Sequence, residues 1–262
     1  MISLLLSSSL FAAPLTCKEL QSLHKEEAPH VIHRKVQQQG IAPDVPTCLQ
    51  RKNLQTILPA SDADLIAPNV FFVHTRTTKG TFLIHVQREW APLGADRFYT
   101  LVSKGYFEDL PFFRVIRGFM AQFGIHNDPL VRASWKDKQL SDDPQKQSNT
   151  RGTISFATSG PNTRTTQLFV NTSDNTNLDA SGFTPIGSIV HTPSAPGMNI
   201  VDTLFSGYGE GHPSGRGPSQ ALMQSIGNDF IKEHYPHIDF IVKMTVCDHP
   251  NPIKVDDCVR KP

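Results

Sequence analysis

The sequence predicts a mainly β fold, and three observations point to it. From residue 69 onward short apolar runs recur, each closed off by Gly, Pro, Asn or Asp. Twenty prolines and seventeen glycines are spread along the chain without tandem repetition, which implies many turns between short elements. Apolar residues at helical spacing occur only in brief stretches. The length of 262 residues and the 38% hydrophobic content allow one large β-barrel domain or two small domains, and by themselves do not choose.

Taken in order, residues 14–67 are polar, carry prolines at 28, 43, 46 and 59, and hold one short helical pattern from Lys18 to Lys25. They read as an appendage. At Asn69 the pattern changes: Phe71, Val73 and Thr75 alternate with Phe72, His74 and Arg76, and Thr77-Thr78-Lys79-Gly80 turns the chain into Phe82, Ile84 and Val86. That predicts a hairpin with one apolar face. Pro92 suits a first helical turn, Ala95, Phe98, Leu101 and Val102 recur at helical spacing, and Gly105 suits the residue after a helix end. Runs at 112–116, 119–123, 153–157, 168–170 and 186–190 read as strands of a closed or nearly closed sheet, with residues 125–151 a long polar connection between them. Met198, Val201, Leu204 and Phe205 mark a second helix that stops at the glycine-rich stretch 207–218, and Leu222, Ile226 and Phe230 mark a third. A last strand alternates through Ile238, Phe240, Val242, Met244 and Val246. The expected divisions are a leader over 1–13, the appendage over 14–67, a barrel domain over 68–249 and a tail over 250–262.

Twenty-five basic against 24 acidic residues leave a formal charge of +1, too little field to gather nucleic acid or an anionic membrane. The apolar run Ile2 to Leu6 and Leu10 to Ala13 resembles a signal-peptide core, though it lacks a preceding Lys or Arg and runs into Pro14; a truncated gene model is the other reading. It is too short to span a bilayer, and no later run is long enough, so no stable membrane insertion is expected. Cys17, Cys48, Cys247 and Cys258 form an even set outside the central part of the chain. Of three possible pairings the local one, Cys17 with Cys48 and Cys247 with Cys258, suits an oxidising compartment, the endoplasmic reticulum lumen or the outside of the cell. Reduced thiols in a cytoplasmic protein are the alternative. No CxxC spacing exists, and the eleven histidines, including His30 with His33 and His234 with His237, complete no ligand set, so neither a metal nor another cofactor is expected. Ser155 and Ser159 lack the Gly-x-Ser-x-Gly setting of a hydrolase nucleophile. Asn171-Thr172-Ser173 matches a glycosylation sequon but follows an apolar strand, and reads as unoccupied.

Two stretches carry a family resemblance: Phe112-Phe113-Arg114-Val115-Ile116-Arg117-Gly118-Phe119-Met120-Ala121-Gln122, and Gly160-Pro161-Asn162-Thr163-Arg164-Thr165-Thr166-Gln167-Leu168-Phe169. With Gly182-Phe183-Thr184-Pro185-Ile186-Gly187 and Gly197-Met198, they resemble the cyclophilins, the peptidyl-prolyl cis/trans isomerases that accelerate rotation about X-Pro bonds. The resemblance spans about Asn69 to Asp248. It implies an eight-stranded antiparallel barrel capped by two helices, with a substrate groove on its outer face. Position by position, it places the catalytic arginine on Arg114, with Phe119 and Gln122 beside it. Met120, Ala157, Thr158, Gln167, Phe169, Asn177, Leu178 and Phe183 become substrate-binding positions, the partners are proline-containing polypeptides, and the protein is expected as a monomer. Arg151 and Arg164 flank the second motif, where they shape the groove or form structural ion pairs.

The chemistry fits these residue types. X-Pro isomers differ little in energy but interconvert slowly, because rotation breaks amide resonance. At the twisted geometry the prolyl nitrogen regains a lone pair, and a fixed guanidinium that donates to it stabilises that geometry above either planar one. An apolar pocket must hold the ring while the preceding carbonyl swings. Four positions depart from the family pattern: Asn177 stands where many members have a tryptophan and Phe183 where a pocket histidine is usual, so weak binding of cyclosporin is expected, and Thr158 and Ser159 replace smaller or amide groups along the groove. Two other uses of the groove stay open, a binding module for proline segments with little turnover and an interaction protein that merely keeps the fold.

Overall fold

The computed structural model describes residues 64–193 and 195–247, together with Ile57 and Pro59. The expected leader, the tail after Cys247, nearly all of the appendage, and Cys17, Cys48 and Cys258 lie outside the described residues. The chain divides into two compact units, Met1–Lys52 and Asn53–Pro262, and the described residues belong to the second.

The hairpin forms where the alternation predicts it, as β1 (Val70–Thr77) and β2 (Gly80–Gln87), paired residue for residue from Val70 with Gln87 to Thr77 with Gly80. Phe71, Val73 and Thr75 are buried on the inner face. Phe72 is buried too, because on the outer face it packs with Leu83 and Cys247. Cys247 is itself disulfide-bonded. Next comes helix α1 (Pro92–Ser103), with Ala95, Phe98, Leu101 and Val102 against the core. Its N-terminal residue Ala91 offers no side-chain cap; instead the Leu93 and Gly94 amides donate to the Asp143 carboxylate, each at 2.9 Å.

The remaining strands are β3 (Glu108–Pro111), β4 (Arg114–Ile116), β5 (Met120–Phe123), β6 (Thr153–Phe156), β7 (Leu168–Asn171) and β8 (Pro185–Ile189), then a small pair β9 (His191–Thr192) and β10 (Ala195–Pro196), and finally β11 (Phe240–Val246). Nine of them make one antiparallel sheet in the order β3-β11-β1-β2-β8-β6-β7-β5-β4. The two ends of that order, β3 and β4, are separated in the chain only by Phe112 and Phe113, so the sheet must curl until its edges approach each other. Counted as one bent strand, β3 and β4 bring nine strands back to the eight expected. Inside the curl, the rings of Phe82, Phe98, Phe107, Phe112, Phe123 and Phe156 are essentially fully buried. Each such side chain contributes about 1.5–3 kcal/mol of burial.

Four expectations are corrected. The connection 125–151 contains a helix, α2 (Pro129–Lys136), whose Val131 and Trp135 reach the core one turn apart. The second expected helix is only α3 (Gly197–Val201). The third is two helices, α4 (Gln220–Ile226) and α5 (Asn228–His234), broken at Gly227, whose φ of +90° only glycine adopts without strain. The alternation of the last strand changes phase: Ile241 and Met244 face the core, because β11 bulges where Ile241 pairs with Thr77 but Lys243 pairs with the adjacent Arg76. The domain body also reaches back before residue 68. Asp64 pairs with Arg97 at 2.8 Å, Ala67 N donates to Asp96, and the Ile57 carbonyl accepts from the Trp135 indole.

Candidate functional site

Strand register places the site. Across three neighbouring strands Arg114 lies opposite Gln122, and Gln122 opposite Phe169. Their chain neighbours Val115, Ala121, Phe123, Leu168 and Val170 belong to the core. Strand alternation therefore turns Arg114, Met120, Gln122 and Phe169 to the outer face. There they line a cleft of about 290 Å³ together with Phe119, Ala157, Thr158, Gln167, Leu178 and Phe183, joined by Ser159, Thr163, Thr165 and Gln220. The apolar wall is aromatic: Phe169 and Phe183 meet edge to face at 5.7 Å.

Arg114 is held on three sides. Its Nε donates to Glu210 Oε1 at 2.6 Å and Nη2 to Glu210 Oε2 at 2.7 Å, while Nη1 donates to Gln122 Oε1 at 3.0 Å. Gln122 Nε2 in turn donates to Gln167 Oε1 at 3.0 Å. The guanidinium also sits 5.8 Å from the centre of the Phe119 ring. A weaker contact runs from Nη1 to Met120 Sδ at 3.9 Å, so of five guanidinium N–H groups one on Nη2 stays outside these bonds and can meet a ligand. The hydrogen bond from Arg114 is the main cause that lowers the Glu210 carboxyl below its ordinary value, with a second from the Gly211 amide, so Glu210 is charged at neutral pH.

The opposite wall, residues 157–167, is a loop fixed from beneath. Thr158 and Thr163 hydroxyls bond at 2.8 Å, Ser159 N donates to Thr163 Oγ1, and Ala157 N donates to the Gln167 carbonyl at 2.9 Å. Arg164 is buried below that loop, bonded to Asp143 at 3.0 Å and to the Ser141 carbonyl. Arg97 holds the Thr165 carbonyl at 3.1 Å while its guanidinium stacks over Trp135. Arg164 is thus an interior ion-pair partner. Arg151 pairs with Asp202 at 2.5 Å on the exposed surface.

A family model described as cyclophilin type peptidyl-prolyl cis-trans isomerase/CLD matches residues 72–227, more than half of the chain. The chain belongs to the cyclophilin family. A peptidyl-prolyl cis-trans isomerase of Acinetobacter baylyi is 32% identical over 133 residues, covering 50% of this chain and 70% of the relative. Peptidyl-prolyl cis-trans isomerase B of Escherichia coli is 30% identical over 131 residues, covering 49% and 80%. A crystal structure of a Cryptosporidium parvum cyclophilin type isomerase shares the fold, with a TM-score of 0.50 at 20% identity over 70% of this chain and 99% of that one. By this homology the chain is a peptidyl-prolyl cis-trans isomerase, acting on X-Pro bonds.

Among cyclophilin positions expected from sequence, ten converge on the cleft and one does not. Asn177 is exposed on the 3₁₀ helix Thr176–Ser181 and lies outside the lining, although its neighbour Leu178 is part of it. A 3₁₀ turn rotates successive side chains by about 120°, and here Leu178 is the one of the two that reaches the lining. Sequence reasoning missed Thr163, Thr165 and Gln220 as lining, and Glu210 altogether. Glu210 sits in Gly207-Tyr208-Gly209-Glu210-Gly211, 96 residues from its partner, and its only signal is a charged residue alone among glycines. Among the described residues no group of His, Cys, Asp or Glu could hold a metal ion. No helix there is long and apolar enough to cross a membrane.

Proposed function

We propose that this cyclophilin isomerises X-Pro bonds by donating a hydrogen bond from Arg114 to the twisted prolyl amide, with the proline ring seated against Phe119, Met120, Phe169 and Leu178. The observation that carries the reading is the state of Arg114: clamped on three sides in the cleft lining, yet with one N–H of Nη2 outside every one of its bonds. A donor fixed in advance needs no reorganisation when the lone pair appears, so it favours the twisted geometry over both planar ones. Phe183 closes the apolar wall, and the backbone at Ala157 together with Thr158 faces an extended polypeptide.

Removing one such donor costs about 10²–10³ in rate in a preorganised site. Proline-limited refolding catalysed by the wild type and by Arg114→Ala tests the reading: a loss of about a hundredfold or more supports it, and equal rates refute it. Retained peptide affinity in a wild type that shows negligible turnover would instead favour a proline-peptide binding module.

The natural substrates in this proposal are proline-containing polypeptides in the secretory pathway. The apolar run over residues 2–13 and the disulfide-bonded Cys247 support that compartment. We pair Cys247 with Cys258 and Cys17 with Cys48. Mass spectrometry of the mature N-terminus and of unreduced peptides tests this; free thiols with Met1 retained would overturn it.

A further inference from the structure

We propose that Glu210 is a positioning residue for the isomerase reaction: its carboxylate fixes the plane of the Arg114 guanidinium so that the remaining N–H of Nη2 faces the substrate. The proposal rests on the role given to Arg114 above.

Glu210 grips Nε and Nη2 at 2.6 and 2.7 Å, and Gln122 grips Nη1 at 3.0 Å. Those three points define the plane of a rigid, planar group. Without the carboxylate, Nη1 alone would be held, by Gln122 and more weakly by Met120 Sδ at 3.9 Å, at the end of a long side chain with large rotamer freedom.

The loop that carries Glu210 is built to hold it still. Gly209 bridges to Val115 at the open edge of β4. The Glu210 carbonyl accepts from Gly217 N at 2.7 Å, and its Oε1 accepts from Gly211 N at 2.8 Å. A Cβ at position 215 would lie 2.3 Å from the Glu210 carbonyl oxygen, so glycine is needed there for the loop to close. The rings of Phe205, Tyr208 and Tyr235 pack edge to face beneath the loop, and the Tyr235 hydroxyl donates to the Gly217 carbonyl at 3.4 Å. The same loop leads to Gln220 in the cleft wall.

Stability does not account for this construction. The Glu210 side chain is 38% exposed, and pairs this open to solvent contribute little to folding. Orientation of Arg114 does account for it.

The test measures the bound cis/trans exchange rate and the affinity for a proline-containing peptide by NMR exchange spectroscopy. The proteins are the wild type, Glu210→Gln, Glu210→Asp, Arg114→Ala and the Arg114→Ala/Glu210→Gln double variant, each checked by thermal melting. Glutamine keeps the shape but offers one acceptor, so Glu210→Gln is expected to slow exchange about tenfold while affinity stays within about twofold. Glu210→Asp, too short to reach both nitrogens, is expected to fall with it, and both are expected to melt with the wild type. In the Arg114→Ala background the Glu210→Gln change is expected to cost nothing further, because a residue acting through Arg114 has nothing left to position. Unchanged or faster exchange in Glu210→Gln overturns the proposal, as does an equal fold-loss in the Arg114→Ala background. If Arg114→Ala alone exchanges at the wild-type rate, the reading of Arg114 fails first; if it is slow while Glu210→Gln is normal, only the role of Glu210 fails.

Discussion

Arg164 offers a quantitative test of how the cleft wall is supported. Its side chain is 1% exposed and that of its partner Asp143 is 2% exposed. Asp143 also terminates α1 by accepting from the Leu93 and Gly94 amides. Replacing Arg164 with methionine keeps much of the volume but strands the Asp143 carboxylate in the interior. Breaking a buried pair from one side costs about 3–5 kcal/mol. For a domain of this size, each kcal/mol lowers the melting temperature by about 2–4 °C, so Arg164→Met is expected to melt about 6–20 °C below the wild type. Asp143→Asn is expected to destabilise as well, since Arg164 is left with Asp142 at 3.5 Å and the α1 amides lose a charged acceptor. The double variant is expected to melt above the sum of the single losses, with a coupling energy of about 1–3 kcal/mol. Urea unfolding of the four proteins measures it. A single-variant loss under about 1 kcal/mol, or strictly additive losses, would refute the account of Arg164 as an interior strut.

Other consequences can be checked in parallel. Burial pushes the Tyr106 phenol up to about 12, against an ordinary value of 10. Because the unfolded chain then releases the proton first, stability is expected to fall as pH rises from about 10 to about 12. Stability curves for the wild type and Tyr106→Phe measure this, and an equal alkaline loss in the variant would contradict it. Asn171 is fully buried, accepting from Asn175 at 2.7 Å and donating to Thr153 at 2.8 Å, so protein folded in a secretory host is expected to carry no glycan there. Intact-mass spectrometry of the native fraction decides it. Cyclosporin is expected to inhibit weakly, because Asn177 supplies no indole and lies outside the cleft lining while Phe183 offers no polar tip; submicromolar inhibition in the refolding assay would contradict this.

What could be read from sequence follows how local each signal is. The β1–β2 hairpin and α1 were legible because their alternation, spacing and terminal residues are complete within one continuous stretch of chain. Helix α2 was not, since Val131 and Trp135 are its only described core contacts and the helix is one short element inside a long polar connection. The phase change in β11 depends on a bulge against β1, which no pattern within β11 reveals. In the site, motif residues converged because strand register fixes them in one row. Asn177 failed because a single-residue rotation in a 3₁₀ turn decides which side chain enters the cleft. Glu210 was hidden because its meaning lies in a partner 96 residues away.

The adjacency of β3 and β4 in the chain has a consequence for a protein whose substrates are flexible polypeptides. An extended client segment can recruit any unpaired strand border as a template, and aggregation often begins that way. Here the β4 border is occupied at Val115 by the bridge to Gly209, and on the β3 border the Asp109 carbonyl accepts from the Asn228 side chain. The surface left for a passing chain is therefore a face set with side chains, where it can be held at one proline and released. Continuous backbone pairing, which would turn transient help into lasting capture, finds little purchase.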